Sequence, residues 1–325
     1  MPARFLVAPD SFKGTYDAAA VAAAIAAGIE AGGALADRCP VADGGEGTME
    51  VLLEALGGEE RTLTVHDPLR RPVEASFGLL TGGRTAVVEM ARASGLPLVA
   101  PEERDAERAD TYGTGELIAA ALAAGAEKVL VAVGGSATTD GGRGALEALR
   151  EEGWPDTGAV EVLCDVDTPY EEAARVFGPQ KGADPEAVER LTARLDELAA
   201  ALPRDPRGLP MTGCAGGLSG GLWACGASLR PGASYVLEAI GFDRRLAAAD
   251  AVIAGEGRVD SQSFEGKIVG ILAQRCAAAG KPLHLVVGRN SLEGEGPAAV
   301  SSVAEATTPE EMRRVGLRLA QDQVR

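Results

Sequence analysis

The stretch KVLVAVGGSATTDGGRGALEALRE, residues 128–151, decides the fold class of this chain. Its apolar start predicts a buried strand over Lys128–Val133, and its end predicts a helix over about Arg143–Glu151. The loop between them is rich in glycine and hydroxyl side chains, which suits the binding of phosphate by backbone amides. Neither GxxxxGK(S/T) nor GxGxxG occurs in this loop or anywhere else in the chain. A strand that leads through such a loop into a helix predicts an α/β protein.

Short strands alternate with helices on both sides of this stretch, and five of the strands lie near the two chain ends. They are predicted over Arg4–Ala8, Asp37–Val41, Ala251–Ala254, Leu283–Val287 and Ser302–Ala304. Five strands are enough for one small parallel sheet of the flavodoxin-like or Rossmann-like kind. We therefore predict a first α/β domain that is built from both chain ends, residues 1–60 and 246–325.

Residues 61–245 are predicted to form a second α/β domain, inserted into the first and containing a mixed sheet. Three strands joined by short turns, over Arg61–Val65, Val73–Leu80 and Arg84–Met90, indicate an antiparallel ribbon. The strands Lys128–Val133 and Val160–Asp165 alternate with helices instead, which is typical of parallel pairing.

The composition excludes several classes of function. The chain has 325 residues and a net charge of −17, which argues against binding to nucleic acid or to an anionic membrane. No apolar run approaches the roughly 18 uncharged residues of a membrane span, and the amino-terminal sequence is typical of a first strand rather than of a signal peptide. Five scattered cysteines without CxxC spacing argue against a disulfide framework and a zinc site. We therefore expect a soluble cytoplasmic protein.

The chain contains few lysines, and most of them adjoin a glycine. Of 31 basic residues only five are lysine, and four of these adjoin a glycine: Lys13-Gly14, Lys181-Gly182, Gly266-Lys267 and Gly280-Lys281. The last pair is typical of a helix C-cap. At the other three pairs, a lysine ammonium beside a glycine indicates a contact with phosphate.

Two loops with polar side chains follow the first two predicted strands. Residues 8–14 contain Asp10, Ser11 and Lys13, which together suit a metal, a hydroxyl group and a phosphate, although a surface turn with a helix cap explains them as well. Residues 41–48 hold the carboxylates of Asp43 and Glu46 between three glycines. This arrangement positions an acid or base, and a plain turn would not need so many glycines.

Three later segments carry polar side chains at or after strands. Asp165 and Asp167 can face one side if their strand persists, as Mg²⁺ ligands do, or form a solvated turn. The segment 212–221 is either a ligand loop or a site of close helix packing. Residues 255–263, expected after the strand Ala251–Ala254, again combine carboxylates, hydroxyl groups and a basic side chain.

Phosphoryl transfer is the reaction that these residue types fit best. His66 and His284 are the only histidines in the sequence and are predicted to be structural. The sequence therefore argues against a catalytic triad that contains histidine. Phosphoryl transfer needs positioned anions, a divalent metal and a carboxylate base. Direct transfer from a nucleotide to a substrate hydroxyl is the simplest such mechanism.

The order of these motifs resembles that of the bacterial type I glycerate kinases. The motifs are APDSFKG, PVADGGEGT, TYGTGELI, GGSATTDGG, CDVDTP, VFGPQKGA, TGCAGGL and GEGRVDSQSFEGK, between residues 8 and 267. The resemblance implies phosphorylation of D-glycerate with ATP and Mg²⁺, usually to 2-phosphoglycerate and less often to 3-phosphoglycerate. It also implies two α/β domains with the active site in the cleft between them. We expect that the chain can form a homodimer.

Roles within this reaction follow from side-chain chemistry. Lys13 and Lys181 would contact the transferring phosphate or the glycerate carboxylate, and Asp43 would accept the proton of the glycerate hydroxyl. Mg²⁺ would be held by Asp165 and Asp167. The substrate would contact Asp10, Ser11, Glu256 and Arg258, with Arg258 on its carboxylate, and the nucleotide phosphates would contact Gly134, Gly135, Ser136, Thr138 and Gly213. The alternatives are a kinase for another small sugar acid and a non-catalytic protein that binds glycerate or nucleotide.

Overall fold

The computed structural model describes residues 2–264, 267–292 and 297–323. The strands are β1 (Arg4–Pro9), β2 (Leu35–Arg38), β3 (Gly58–His66), β4 (Pro72–Leu80), β5 (Thr85–Glu89), β6 (Lys128–Ala132), β7 (Val160–Cys164), β8 (Ser228–Pro231), β9 (Ala251–Val259), β10 (Leu283–Asn290) and β11 (Val300–Glu305). The helices are α1 (Ala18–Ala31), α2 (Thr48–Leu56), α3 (Ala91–Ser94), α4 (Tyr112–Ala123), α5 (Arg143–Glu151), α6 (Ala173–Phe177), α7 (Pro185–Ala201), α8 (Cys214–Ala224), α9 (Gly232–Ala239), α10 (Phe242–Ala248), α11 (Ile268–Ala279) and α12 (Pro309–Gln323).

The chain divides into two compact units. Unit 1 comprises Met1–Asp43 and Ala233–Arg325, and unit 2 comprises Gly44–Gly232. Both divisions lie before the expected boundaries at residues 60 and 245. At the first division this is because helix α2 packs against strands β4 and β5 and so belongs to unit 2. At the second, helix α10 contacts α11 and β1 and so belongs to unit 1.

Unit 1 contains a five-stranded parallel sheet in the order β11-β10-β9-β1-β2. Its strands come from both chain ends, so the prediction of a parallel sheet that joins the two ends is confirmed. Helix α1 begins at Asp17, whose side chain accepts a hydrogen bond from the Ala20 amide. A Cβ atom at Gly28 would lie 2.8 Å from the Leu317 nitrogen, so glycine is needed where α1 crosses α12.

Unit 2 contains a six-stranded mixed sheet in the order β3-β4-β5-β6-β7-β8. The ribbon β3-β4-β5 is antiparallel and β5 to β8 are parallel, which confirms the predicted mixed sheet. The carboxyl ends of the parallel strands meet at one edge, where α/β proteins bind ligands. None of the helices in the described part of the chain is both long and apolar enough to cross a bilayer.

Several strand ends differ from the prediction, and β2 lies over Leu35–Arg38 instead of the predicted Asp37–Val41. Two further differences move candidate site residues. Strand β9 continues to Val259 because β10 pairs with it as far as Arg258 and Val259. Glu256 and Arg258 therefore lie within a strand rather than in a loop after it. Strand β7 ends at Cys164, so Asp165 and Asp167 follow the strand instead of alternating along it.

Candidate active site

The segment 134–142, which we call the phosphate loop, joins β6 to α5 in unit 2 and is anchored by Asp140. The buried Asp140 carboxylate accepts hydrogen bonds from the Thr111 amide (2.9 Å) and hydroxyl (2.8 Å). It also accepts from the amides of Gly142 (3.1 Å) and Gly144 (2.9 Å). These four bonds tie the loop to the amino-terminal ends of helices α4 and α5.

The first half of the phosphate loop presents backbone amides. The Gly135 carbonyl accepts from the Leu96 amide (2.9 Å), and the Ala137 amide donates to the Ser94 carbonyl (2.9 Å). The amides of Gly134, Gly135 and Ser136 donate to no acceptor within the described part of the chain. Gly135 is exposed and has φ +76°, a backbone conformation that favours glycine. Unbonded amides on a fixed loop are suited to binding phosphate oxygens.

A second glycine-rich segment, residues 44–47, lies against the phosphate loop. The Val133 amide donates to the Gly44 carbonyl (3.0 Å), and a Cβ atom at Gly134 would lie 2.7 Å from the Gly45 Cα atom. A Cβ atom at Gly135 would overlap Oε1 of Glu46, so this exposed carboxylate borders the amides. The sequence analysis singled out the segment but gave a role only to Asp43. The importance of Glu46 follows from this packing, which no local pattern reveals.

Lys181 supports the phosphate loop from inside unit 2 and does not face solvent. Its side chain is buried, and Nζ donates to the Thr138 carbonyl oxygen at 2.5 Å. Burial lowers the pKa of Lys181 to about 7, and the nearby Asp140 charge opposes that shift. The sequence predicted that the Lys181 ammonium would be exposed and would contact phosphate, and its buried position differs from that prediction. The ammonium holds the main chain of the loop instead.

Thr138 and Gly213 are also buried where ligand contacts were expected. The Thr138 hydroxyl lies 3.5 Å from the Ala215 carbonyl oxygen and is shielded from solvent. The Gly213 amide donates to the Thr168 carbonyl (2.9 Å), and a Cβ atom there would lie 2.8 Å from the same oxygen. Close packing, the alternative considered for this segment, therefore accounts for Gly213.

Asp165 and Asp167 are both exposed, just after β7. The described residues contain no group of three or more His, Cys, Asp or Glu side chains that could hold a metal ion. Mg²⁺ commonly takes one or two carboxylates and completes its shell with phosphate and water oxygens. Two exposed carboxylates therefore fit this ion, and their role stays a prediction.

Unit 1 brings several of the predicted substrate residues together around Asp10. The Asp10 amide donates to the Gly255 carbonyl (2.9 Å), and its carboxylate accepts from the Ser11 amide (2.6 Å). Burial, and then the negative charge of Asp43, raise the pKa of Asp10 to about 7. Lys13 acts in the opposite direction. At neutral pH this carboxyl is therefore close to half protonated.

Glu256 belongs to the same cluster, whereas Arg258 lies at its exposed end. Oε1 of Glu256 is buried and has no hydrogen-bond partner within the described part of the chain. Burial raises the pKa of Glu256, and a hydrogen bond with the Ser263 side chain opposes the shift. Arg258 is exposed, and its Nε lies 3.7 Å from the Asp260 carboxylate. Gly266, singled out next to Lys267, lies outside the described residues.

The two units thus carry different chemistry. Unit 1 presents two carboxyl groups whose pKa values are raised by burial, Asp10 and Glu256, which is a property typical of acid–base sites. Unit 2 presents unbonded amides on an anchored loop, which suits an anion.

Comparisons with known proteins agree with one another over almost the whole chain. A model described as the glycerate kinase family matches residues 5–158 and 153–314. The chain is 41% identical to a protein named glycerate kinase from Bacillus subtilis (strain 168), with 81% of this chain and 79% of that protein covered. It is 37% identical to glycerate 2-kinase from Escherichia coli (strain K12), with 82% and 80% covered.

A solved structure extends the comparison to the fold. The crystal structure of a candidate glycerate kinase 2 from Salmonella typhimurium LT2 has a TM-score of 0.86 and 35% sequence identity, and it covers 100% of this chain and 99% of that one.

Replacing Asp10 with Asn should make folding stability less dependent on pH. The folded chain holds a proton on Asp10 up to about pH 7, whereas the unfolded chain releases it near 3.8. The folded state therefore binds more protons within this window, and wild-type stability falls as the pH rises through it. Wild type should lose about 2 kcal/mol relative to Asp10→Asn between about pH 5 and about pH 8.

Urea unfolding at the two pH values measures this difference. The matched control is Asp156→Asn, which removes an exposed carboxylate that only accepts a hydrogen bond from the Gly158 amide. Its pH dependence should equal that of wild type. The same pH dependence in Asp10→Asn would contradict the raised pKa of Asp10.

Proposed function

We propose that the chain transfers the γ-phosphoryl group of ATP to D-glycerate, because it belongs to the glycerate kinase family and is a phosphotransferase. The expected product is 2-phosphoglycerate, since one close relative is named glycerate 2-kinase. The observation that carries the proposal is the phosphate loop. Three consecutive unbonded amides there are fixed by a buried carboxylate in a chain with a net charge of −17. A chain with this negative net charge binds a polyanion only where several hydrogen-bond donors lie close together.

The amides of Gly134, Gly135 and Ser136 would bind the nucleotide phosphates. Backbone donors need no reorganisation, and they counter the negative charge that spreads over the phosphoryl oxygens during transfer. Asp165 and Asp167 would hold Mg²⁺, which when bound neutralises charge on the β- and γ-phosphates. Lys181 would act as a positioning residue, because its ammonium fixes the Thr138 carbonyl rather than facing the ligand.

The cluster around Asp10 would bind and deprotonate the acceptor hydroxyl. Asp43 is the proposed base, and its negative charge contributes to the raised pKa of the neighbouring Asp10. The unbonded Oε1 of Glu256 would accept a hydrogen bond from a substrate hydroxyl. Lys13 and the exposed Arg258 would bind the substrate carboxylate, since ammonium and guanidinium groups both pair with carboxylates.

ADP release by the purified full-length chain tests this function. We expect turnover with ATP, Mg²⁺ and D-glycerate, and background rates with L-glycerate, glycolate or tartronate. Phosphorus NMR of the product should give the signal of 2-phosphoglycerate. A signal of 3-phosphoglycerate would change the position of transfer only. Turnover with another sugar acid but not with D-glycerate would refute the substrate, and binding without turnover with any acid would refute catalysis.

Replacing Asp165 or Asp167 with Asn should raise the Mg²⁺ concentration needed for half-maximal activity. Each change keeps the shape of the side chain and removes one of two charges, so we expect about a tenfold rise per variant. The control is Asp196→Asn on α7, whose carboxylate is exposed and pairs with Arg207 at 3.5 Å. Midpoints equal to that of wild type in both single variants would place the metal elsewhere, beginning with Glu256 and Asp260.

A further inference from the structure

A groove in unit 2 is lined by none of the residues that the proposed reaction uses. Its volume is 690 Å³, which lies within the range of small-molecule sites. The lining comes mainly from two segments, residues 102–108 and residues 182–190, with Arg71 at one side. The question is which ligand chemistry these side chains favour.

Two of the four arginines that line the groove are already paired with carboxylates. Arg71 bonds Asp67 at 2.6 Å and also contacts Glu103 at 3.1 Å. Arg190 binds Glu107 through two hydrogen bonds, of 2.9 and 2.8 Å. Each of these guanidinium groups is thus ion-paired with a carboxylate of the protein.

The other two, Arg104 and Arg108, are different. Neither guanidinium has a hydrogen bond or an ion pair with any residue in the described part of the chain. Nε of Arg104 is moreover buried, so water does not replace the missing acceptor. Buried donors of native proteins are nearly always bonded, and exceptions indicate an absent ligand or a functional role.

None of the carboxylates that line the groove forms an ion pair with Arg104 or Arg108. Glu103 and Glu107 are bound to the paired arginines. Asp105 accepts hydrogen bonds from the amides of Glu107 and Arg108, both at 3.1 Å, and Asp184 caps helix α7 through the Ala187 amide at 2.7 Å. Within the groove only the exposed Glu102 has no partner of its own among the described residues. Arg104 and Arg108 are thus the two guanidinium groups of the groove without an ion-pair partner among the described residues.

The two segments of the groove are packed directly on one another. Gly182 has φ +93°, and a Cβ atom there would lie 3.0 Å from the Arg104 carbonyl oxygen and 3.1 Å from its Cβ atom. The backbone of Arg104 is therefore held against the turn that precedes α7.

We propose that this groove is a second anion site, in which Arg104 and Arg108 bind the phosphoryl group of a small molecule. A phosphoryl dianion offers two charges and three oxygens to two guanidinium forks, whereas a single carboxylate would leave one fork unused. The groove has room for an organic part next to the phosphoryl group, and Glu102 can accept a hydrogen bond from its hydroxyl groups. The proposal does not depend on the reaction that the enzyme performs.

Hydrogen–deuterium exchange of the full-length chain tests the site with three probes: inorganic phosphate, 2-phosphoglycerate and ADP. At least one probe should slow amide exchange in the segments 102–108 and 182–190 by about threefold or more. The probe that protects at the lowest concentration identifies the source of the phosphoryl group. Protection of residues 134–142 is recorded separately and reports the phosphate loop.

The double variant Arg104→Gln/Arg108→Gln should lose the protection of these two segments and keep that of residues 134–142. Arg108→Gln alone changes only an exposed side chain, so it serves if the double variant does not fold. The control, Arg318→Gln, removes an exposed guanidinium of α12 that has no ion-pair partner within the described chain, and it should behave as wild type. Absence of protection with all three probes, or unchanged protection in the double variant, would overturn the proposal.

Discussion

The buried carboxylate of Asp140 is the interaction on which the candidate active site of unit 2 depends. It forms no ion pair with any described residue, yet it accepts four hydrogen bonds from two parts of the chain, Thr111 and the segment 142–144. A buried charge persists only when such donors satisfy it, so removing them would be costly. The same bonds fix the phosphate loop between α4 and α5, and Lys181 adds a bond to the Thr138 carbonyl. These bonds hold the main chain of the loop in the shape that exposes its three amides.

The sequence predicted both sheets and the phosphate loop because these depend on local patterns. Apolar runs mark the strands, and the glycines of residues 134–142 mark a backbone conformation that side chains would strain. Strand β9 was predicted too short because β10, a distant segment, pairs with its second half. Local composition cannot show such pairing. The resemblance to the glycerate kinases was confirmed, since it rested on eight motifs in order rather than on any single one.

Burial was the property that the sequence could not supply, and it changes the chemistry of individual residues. Lys181 lies between Pro179-Gln180 and Gly182, a sequence typical of an exposed turn, but its ammonium lies in the core. Arg104 lies in a run of charges that is typical of a solvated loop, but Gly182 packs on its backbone and its Nε is buried without an acceptor in the described part of the chain. Glu46 borders the phosphate loop only because residues 44–47 pack on it. In each case the decisive neighbour lies far away along the chain.

The affinity for ATP of the Asp140→Asn variant tests most directly whether the anchored loop binds the nucleotide. Asn offers an amide group where the carboxylate accepts bonds, so the loop should lose its fixed shape while unit 2 keeps its sheet. Isothermal titration should give a Kd for ATP that is about tenfold higher than that of wild type or more. The exposed Asp156→Asn change should leave the Kd unaltered. A folded Asp140→Asn variant that binds ATP as tightly as wild type would contradict the account.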